Sequence, residues 1–374
     1  MGNVDVVQWM ITGNCNYHCS HCYLGEDNRI EPDISSLLSY IEYFKDYGIK
    51  KVILTGGEPL IRKDLGQLLK ALYDGNIKVT GIITNGALIT KELLRMLKDF
   101  GNDTTFSISY DGDETHDIVR NFKGAKEKTL AAFDLCRKEG FNTASDMTFY
   151  RGNAGNLRES IKTLEEHGCS SLKVSPLLMA GNAQKGKLLE SLTPTEVLDA
   201  FCEYIPFYFV DKIKMKVFLS AYFYGDGQNG IWDIPVERFK MYVDDCDKAM
   251  CAKEEKVPFL YIDGRLLPCA GVAGYKEQRE KMRKISDGGI GAAMKSPAYA
   301  EFMGYTLKEH ARSNPDCKEC EYLKTCMGGC RIIAGIEDFE FHGKDRYFCT
   351  YFKNGYLGKV KAAVQLGKSL AALG

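Results

Sequence analysis

Three cysteines and a glycine-rich tetrapeptide are the features of this sequence best suited to chemistry. Cys15, Cys19 and Cys22 form a Cys-x3-Cys-x2-Cys run, and Gly56-Gly57-Glu58-Pro59 comes later in the chain. Three thiolates can hold three corners of a cubic four-iron, four-sulfur cluster and leave the fourth iron open. Glycines let the backbone approach a ligand closely, and Glu58 can accept a hydrogen bond from a cationic amino group. The spacing therefore predicts an iron–sulfur site with a vacant corner.

A zinc site is the alternative interpretation of the same residues. His18 or His21 could complete a set of ligands with the three cysteines, and Gly-Gly-Glu-Pro alone is an ordinary turn. Structural zinc normally requires a closed set of four ligands. Because the two motifs follow consecutive predicted strands, the iron–sulfur interpretation is favoured.

The first half of the chain alternates short β-branched runs with helical patterns. Asp33 and Thr90 are predicted to cap helices, and Gly48 and Gly101 to end them. Six strand–helix units predict a parallel sheet with helices outside, and six are too few for a complete eightfold barrel. We therefore expect an α/β fold, a partial (β/α)6 barrel, with both motifs at the carboxyl ends of strands, where ligands bind. The predicted strands are 8–12, 51–55, 79–84, 104–109, 143–149 and 171–174.

The second half has a different composition. A helix is predicted from Thr193-Pro194 to about Val210, and residues 221–235, rich in Gly, Asp and Tyr, are predicted to be a loop. Cysteines become dense from Cys246 onward, and a final helix is predicted near 355–373. We therefore expect a barrel over 1–210, a linker over 211–245 and a cysteine-rich domain over 246–374.

Composition excludes several classes of protein. The chain has 374 residues, a net charge of −1 and no basic stripe with interleaved aromatic residues, which argues against a nucleic-acid partner. It shows no signal peptide and no apolar run of about eighteen residues, so we expect no membrane span and a cytoplasmic location. Without an export signal, fourteen cysteines indicate metal ligands rather than disulfides.

With these motifs, the sequence resembles the radical S-adenosylmethionine (radical SAM) enzymes from its first predicted strand onward. The resemblance implies that the cluster cleaves S-adenosylmethionine to methionine and a 5′-deoxyadenosyl radical, which abstracts hydrogen from a substrate. It also implies which residues bind S-adenosylmethionine: Gly56, Gly57, Glu58 and Pro59 at its amino group, Asn85 and Ser109 at strand ends, and the backbone of His21 at the adenine.

Eight cysteines of the second half resemble the SPASM extension of a radical SAM subfamily, which binds two auxiliary 4Fe–4S clusters. A zinc ribbon built from the tight Cys317–Cys330 run is the alternative, but it leaves the other four cysteines unexplained. The resemblance implies three clusters in all. It assigns Cys246, Cys251, Cys269 and Cys330 to the first auxiliary cluster, and Cys317, Cys320, Cys326 and Cys349 to the second. Without Cys246, the first auxiliary cluster would keep an open iron.

Enzymes of this subfamily modify peptides or proteins. The resemblance therefore implies hydrogen abstraction from a ribosomally synthesised peptide, which would be crosslinked, converted to a thioether, excised or otherwise modified. Sulfatase maturation is disfavoured, because Ala270 stands where sulfatase-maturing enzymes carry aspartate and Thr55 where they carry glutamine. Only fourteen residues precede Cys15, so we expect either a separate leader-peptide-binding protein or recognition by the cysteine-rich domain and 221–235. A low-potential donor such as flavodoxin or ferredoxin is expected to supply the electron.

Two other functions stay open. One is an enzyme of the same class acting on a small molecule, such as a tetrapyrrole maturase or a dehydrogenase. The other is a non-catalytic iron–sulfur electron carrier, which the vacant iron disfavours. The acid–base residues are not assigned from sequence, although Tyr110, Asp111, His116 and Arg151 lie near predicted strand ends.

Overall fold

A single eleven-stranded sheet organises the computed structural model, which describes residues 4–25, 29–186, 189–237, 246–251, 257–338 and 341–373. The strands are β1 (Val6–Thr12), β2 (Lys51–Gly56), β3 (Lys78–Thr84), β4 (Thr105–Ile108), β5 (Thr143–Phe149), β6 (Ser171–Pro176), β7 (Lys216–Leu219), β8 (Phe223–Asp226), β9 (Ile231–Asp233), β10 (Phe259–Leu260) and β11 (Leu266–Leu267). Their order in the sheet is β11-β10-β1-β2-β3-β4-β5-β6-β7-β8-β9. Strands β1 to β7 pair in parallel. This confirms the predicted parallel sheet and all six predicted strands.

Helices connect the parallel strands and continue through the second half. Those of the first half are α1 (Ile34–Tyr47), α2 (Leu65–Asp74), α3 (Lys91–Asp99), α4 (His116–Arg120), α5 (Ala125–Lys138), α6 (Leu157–Glu166), α7 (Asn182–Lys185) and α8 (Pro194–Val210). The second half has α9 (Lys276–Glu280), α10 (Gly289–Met294), α11 (Pro297–Gly304), α12 (Leu307–Ser313), α13 (Pro315–Lys318), α14 (Leu323–Cys326), α15 (Arg331–Asp338), α16 (Arg346–Lys353) and α17 (Tyr356–Ala371). None of the described helices is both long and apolar enough to cross a membrane.

The predicted helix ends are confirmed by their hydrogen bonds. The Asp33 carboxylate accepts from the backbone N–H of Ser36 at 2.7 Å, and Gly48 ends α1 with a φ of 93°. The Thr90 hydroxyl accepts from the N–H of Leu93 at 3.2 Å at the start of α3. These caps satisfy backbone groups that a helix end leaves unpaired, and they fix where each helix leaves the sheet.

The two faces of the sheet differ in chemistry. Val7, Trp9 and Ile11 of β1 are fully buried on the helical face, where the Trp9 ring meets the Phe44 ring of α1 edge to face, with centroids 5.0 Å apart. On the other face, strand register places Asp146 beside Lys173, and both are exposed. The sheet is therefore packed against helices on one face, and its other face carries charged residues at β5 and β6.

The prediction of a loop over residues 221–235 was wrong, because β8 and β9 lie there and extend the sheet as an antiparallel hairpin pair beyond β7. The glycines that suggested a loop serve close packing instead. A Cβ on Gly225 would lie 2.4 Å from the Tyr208 ring, and one on Gly227 would lie 1.8 Å from the Ile213 carbonyl oxygen. Glycine at these positions admits neighbouring groups of the core.

The second half also contributes to the sheet, on its other edge. Strand β10 runs parallel to β1, with Phe259 opposite Gln8. The predicted C-terminal helix is confirmed as α17, which packs on α8: a Cβ on Gly367 would lie 2.8 Å from Pro206 Cα. Residues 238–245, the end of the predicted linker, lie outside the described residues, and the division at 210 and 245 stays a prediction.

Candidate functional site

The loop carrying the three cysteines follows β1 and is held against the loop after β2 by backbone contacts. The N–H of Gly57 donates to the Thr12 carbonyl, and that of Glu58 to the Asn14 carbonyl, both at 2.8 Å. A Cβ on Gly57 would lie 2.4 Å from the Asn14 carbonyl oxygen. The glycine is therefore required for the two loops to meet, and this contact sets the position of Cys15.

Glu58 is fully buried, and its carboxylate accepts three hydrogen bonds from the protein itself. The donors are the Thr84 hydroxyl at 2.8 Å, the Asn85 N–H at 2.8 Å and the Leu60 N–H at 3.1 Å. Burial raises the pKa of Glu58 to about 7, although these hydrogen bonds oppose the change. Glu58 thus ties the ends of β2 and β3 together, and its contact with a cofactor amino group stays a prediction.

Asn85 and Ser109 lie at the ends of β3 and β4, but they differ in whether the side chain is already hydrogen-bonded to the protein. The Asn85 amide donates to the Asn16 side chain at 2.8 Å and accepts from the Ala87 N–H at 3.0 Å. Asn85 therefore braces the cysteine loop. The Ser109 hydroxyl is half-buried and makes no hydrogen bond to any described residue, so it is free to meet a ligand.

The three thiols of the loop lie close together in a part-apolar enclosure that also contains Tyr17. Burial, and to a smaller extent the charges of Cys19 and Cys22, raises the pKa of Cys15 to about 11. The Tyr17 hydroxyl is buried without a hydrogen-bond partner among the described residues. These free thiols would be stabilised as thiolates by a cationic cluster, so the residues fit an iron–sulfur group.

The described residues contain no group of three or more His, Cys, Asp or Glu side chains arranged around one metal ion. A cubic cluster does not need such a group, because each cysteine binds a different iron atom. The choice of a cluster over a zinc site stays a prediction.

A buried ion pair that the sequence did not reveal lies beside Cys19. The Arg120 guanidinium is 2.6 Å from the Asp111 carboxylate and donates to the Cys19 sulfur at 3.7 Å. Burial alone would raise the pKa of Asp111, but Arg120 holds it below its usual range. In the sequence, Arg120 stands only as a single charged residue, and such residues are usually exposed to solvent.

Of three other candidate residues, His116 and His21 lie beside the Arg120–Asp111 ion pair, and Arg151 lies at the surface. The His116 ring is buried and accepts from the Asp111 N–H at 3.1 Å, and His21 Nε2 lies 3.7 Å from the Asp111 carboxylate. Burial lowers the pKa of His21 to about 4. Arg151 instead pairs with Glu190 and Glu196 at the surface. The adenine contact predicted for the backbone of His21 stays a prediction.

The cysteines of the second half form two neighbourhoods. Burial, followed by the charges of Cys330 and Cys251, raises the pKa of Cys269 to about 12. Burial also raises the pKa of Cys326 to about 12, with Cys349, Cys317 and Cys320 as the nearby thiols that add to it. These neighbours agree with the two ligand sets assigned by resemblance, and the sets themselves stay predictions.

Asp345 connects the two neighbourhoods and was missed from the sequence. Its carboxylate accepts from the Cys330 N–H at 2.9 Å, and its carbonyl accepts from the Cys349 N–H at 3.0 Å. Cys246 packs against Leu307 and Leu323 in the same cluster as Cys317 and Cys320. Its assignment to the first auxiliary cluster stays a prediction.

Comparisons with known proteins are consistent with this geometry. The sequence model of the radical SAM superfamily matches residues 9–173. An AdoMet-dependent heme synthase of Methanosarcina barkeri is 24% identical over 92% of this chain and 96% of its own length. An Fe-coproporphyrin III synthase of the same organism is 31% identical, but the match spans 48% of this chain and 46% of that protein.

A solved structure shares the fold over almost the whole chain. It is native anSMEcpe with bound AdoMet and the Kp18Cys peptide, with a TM-score of 0.73 and 17% identity, covering 97% of this chain and 99% of that one. The likeness therefore extends through the cysteine-rich second half, and the expected combination of partial barrel and cysteine-rich region is confirmed as a fold.

Proposed function

Because the chain contains a radical SAM domain, over residues 9–173, we propose that it abstracts hydrogen from a ribosomally synthesised peptide and modifies it. The observation that carries the radical chemistry of this proposal is the convergence of the cysteine loop, Gly57 and the free Ser109 hydroxyl at one edge of the sheet. When bound, the cluster and S-adenosylmethionine supply the radical chemistry.

The residues of this chain would position that chemistry. Cys15, Cys19 and Cys22 would hold the cluster, and the loop from Gly56 to Pro59 would bind S-adenosylmethionine, with Ser109 as a hydrogen-bonding group. Glu58 would hold the loops together through the hydrogen bonds that it accepts from Thr84, Asn85 and Leu60. Two auxiliary clusters on the eight later cysteines, with a low-potential electron donor, complete the proposal.

The inner face of the barrel supports a polar substrate such as a peptide. One row across the strands brings Asp146 beside Lys173, Lys173 beside Phe218, and Phe218 beside Tyr224. The Ser107 hydroxyl donates to Asp146 at 2.7 Å, and the Phe218 and Tyr224 rings lie 4.6 Å apart. Alternating polar, charged and aromatic groups can bind the backbone and side chains of an extended chain.

A small-molecule substrate of the tetrapyrrole class is the second candidate. It is favoured by the heme synthase of Methanosarcina barkeri, which matches this chain over 96% of its own length. Both candidates require the same cluster chemistry and differ only in the molecule that enters the barrel.

Reconstituted protein would test both candidates under anaerobic conditions. We expect about twelve iron atoms per chain, and about eight in a variant with Cys15, Cys19 and Cys22 all replaced by alanine. The wild type should release 5′-deoxyadenosine after reduction, and the triple variant should not. Stimulation by candidate precursor peptides supports the peptide proposal, and stimulation by Fe-coproporphyrin III alone supports the second candidate. Zinc in place of iron, or no cleavage under strong reduction, would overturn both.

A further inference from the structure

The Arg120–Asp111 ion pair has no assigned role in the proposed chemistry, yet it reaches a cysteine of the predicted catalytic cluster. Arg120 is the last residue of α4, and its side chain is 9% exposed. One nitrogen lies 2.6 Å from the Asp111 carboxylate, and the other donates to the Cys19 sulfur at 3.7 Å. The guanidinium is thus shared between a carboxylate and a sulfur.

Asp111 is itself held in place from β5 and its following loop. Its second carboxylate oxygen accepts from the Thr148 N–H at 3.1 Å, and its carbonyl accepts from the Asn153 amide at 3.2 Å and the Thr115 hydroxyl at 2.6 Å. These bonds fix the carboxylate, and the carboxylate fixes the guanidinium. The orientation of Arg120 toward Cys19 is therefore built into the fold.

A buried cation that donates to a ligand sulfur has a predictable effect on an iron–sulfur cluster. Net charge and hydrogen bonds to the sulfurs are among the factors that set cluster reduction potentials. Reduction adds a negative charge, and a nearby cation stabilises that charge more strongly where water is excluded. Without Arg120, the charge of Asp111 would lie unopposed next to the cluster.

We propose that Arg120, oriented by Asp111, is a positioning residue that raises the reduction potential of the cluster held by Cys15, Cys19 and Cys22. The donor electron is then accepted more readily. The inference rests on the proposed function, because it takes Cys19 as a cluster ligand. It adds a residue outside the cysteine and glycine motifs to those that set the reduction potential of the cluster.

Arg62 offers a matched control, because it is an equally buried arginine at the neighbouring strand ends. Its side chain is 1% exposed, pairs with Asp64 at 2.8 Å and with Glu31 at 3.0 Å, and donates to the Ile11 carbonyl at 3.0 Å. Among the described residues it has no bond to a cysteine. Replacing it removes a buried cation that reaches the cysteine loop through Glu31, which accepts from the Asn14 amide at 3.0 Å, rather than through a cysteine sulfur.

The test is a potentiometric titration of the reconstituted holoenzyme followed by electron paramagnetic resonance, in the absence of S-adenosylmethionine. The signal of the catalytic cluster is identified as the one lost in the Cys15/Cys19/Cys22 triple alanine variant. We expect Arg120→Gln to shift its potential to more negative values, Arg120→Lys to shift it less, and Arg62→Gln to leave it unchanged.

Four results would overturn the inference. If Arg120→Gln leaves the potential unchanged and weakens S-adenosylmethionine binding, Arg120 is a cofactor contact. If it changes neither, Arg120 is a structural residue. An equal shift in Arg62→Gln would make the effect structural. Loss of the cluster in both Arg120 variants but not in Arg62→Gln would make Arg120 an assembly determinant. Failure of the proposed function would look different, because the wild type would then lack the cysteine-dependent signal altogether.

Discussion

Replacement of Gly57 by alanine tests whether the close approach of two backbone loops positions the cluster. A Cβ at this position would lie 2.4 Å from the Asn14 carbonyl oxygen, whereas real Cβ contacts essentially never fall below 3.0 Å. The loops must therefore separate by at least 3.0 − 2.4 = 0.6 Å. The atoms in the way are backbone atoms, so no side chain can rotate aside. Because Asn14 precedes Cys15, the displacement reaches the first cluster ligand.

The expected cost follows from the contacts that the separation disturbs. Overpacking costs about 1–3 kcal/mol, and weakening of the hydrogen bond from the Glu58 N–H to Asn14 adds about 1 kcal/mol. A misplacement approaching ~1 Å near reacting groups can cost about 100-fold in rate, so we expect 5′-deoxyadenosine formation to fall about 10- to 100-fold.

The assay compares Gly57→Ala with Gly155→Ala, each reconstituted anaerobically. A Cβ at Gly155 meets no atom within 4 Å, so this control adds the same methyl group without a clash. Iron content, the midpoint of thermal unfolding and 5′-deoxyadenosine formation are measured for both. Wild-type values for Gly57→Ala in all three would refute the claim that the loop contact positions the cluster.

Three further predictions concern pH, the sheet edge and the auxiliary clusters. Because burial raises the pKa of Glu58 from 4.5 to about 7, its contribution to the unfolding free energy should fall by about 3 kcal/mol as pH rises from 4.5 to 7. Glu58→Gln should remove this pH dependence of the unfolding free energy when unfolding is measured from pH 4.5 to 7. A pH dependence retained in full would contradict the raised pKa of Glu58. Gly225→Ala places a Cβ 2.4 Å from the Tyr208 ring, so it should destabilise the protein by about 1–3 kcal/mol in thermal or denaturant unfolding; an unchanged midpoint would contradict this packing. Cys317→Ala should abolish product while some S-adenosylmethionine cleavage persists, as quantified by chromatography of both, and an unchanged product yield would exclude an electron-accepting role for the auxiliary cluster.

The strands and the cysteine loop could be predicted from sequence because their signals are local. Runs such as β3 are rich in β-branched residues, and caps such as Asp33 act on residues three positions away. The roles of Glu58 and Asn85 could not be predicted in the same way, since their partners lie on other strands. A side chain that could contact a ligand and one that braces a loop look alike in a sequence.

Two features depended entirely on tertiary contacts. Arg120 acquires its significance from Cys19, 101 positions away in the chain. The glycines of 221–235 suggested a loop because their packing against Tyr208 and Ile213 is invisible locally. Distant contacts of this kind override local composition.

The pairing of β1 with β10 has a consequence for how the protein is made. Gln8 lies opposite Phe259, so β1 is synthesised well before β10, the strand that covers one of its two edges. Until then, one edge of the strand that leads into Cys15 is unpaired and open to association with other chains. Completion of this sheet edge, and with it a settled cysteine loop ready for iron and sulfide, is therefore expected only once β10 has been synthesised.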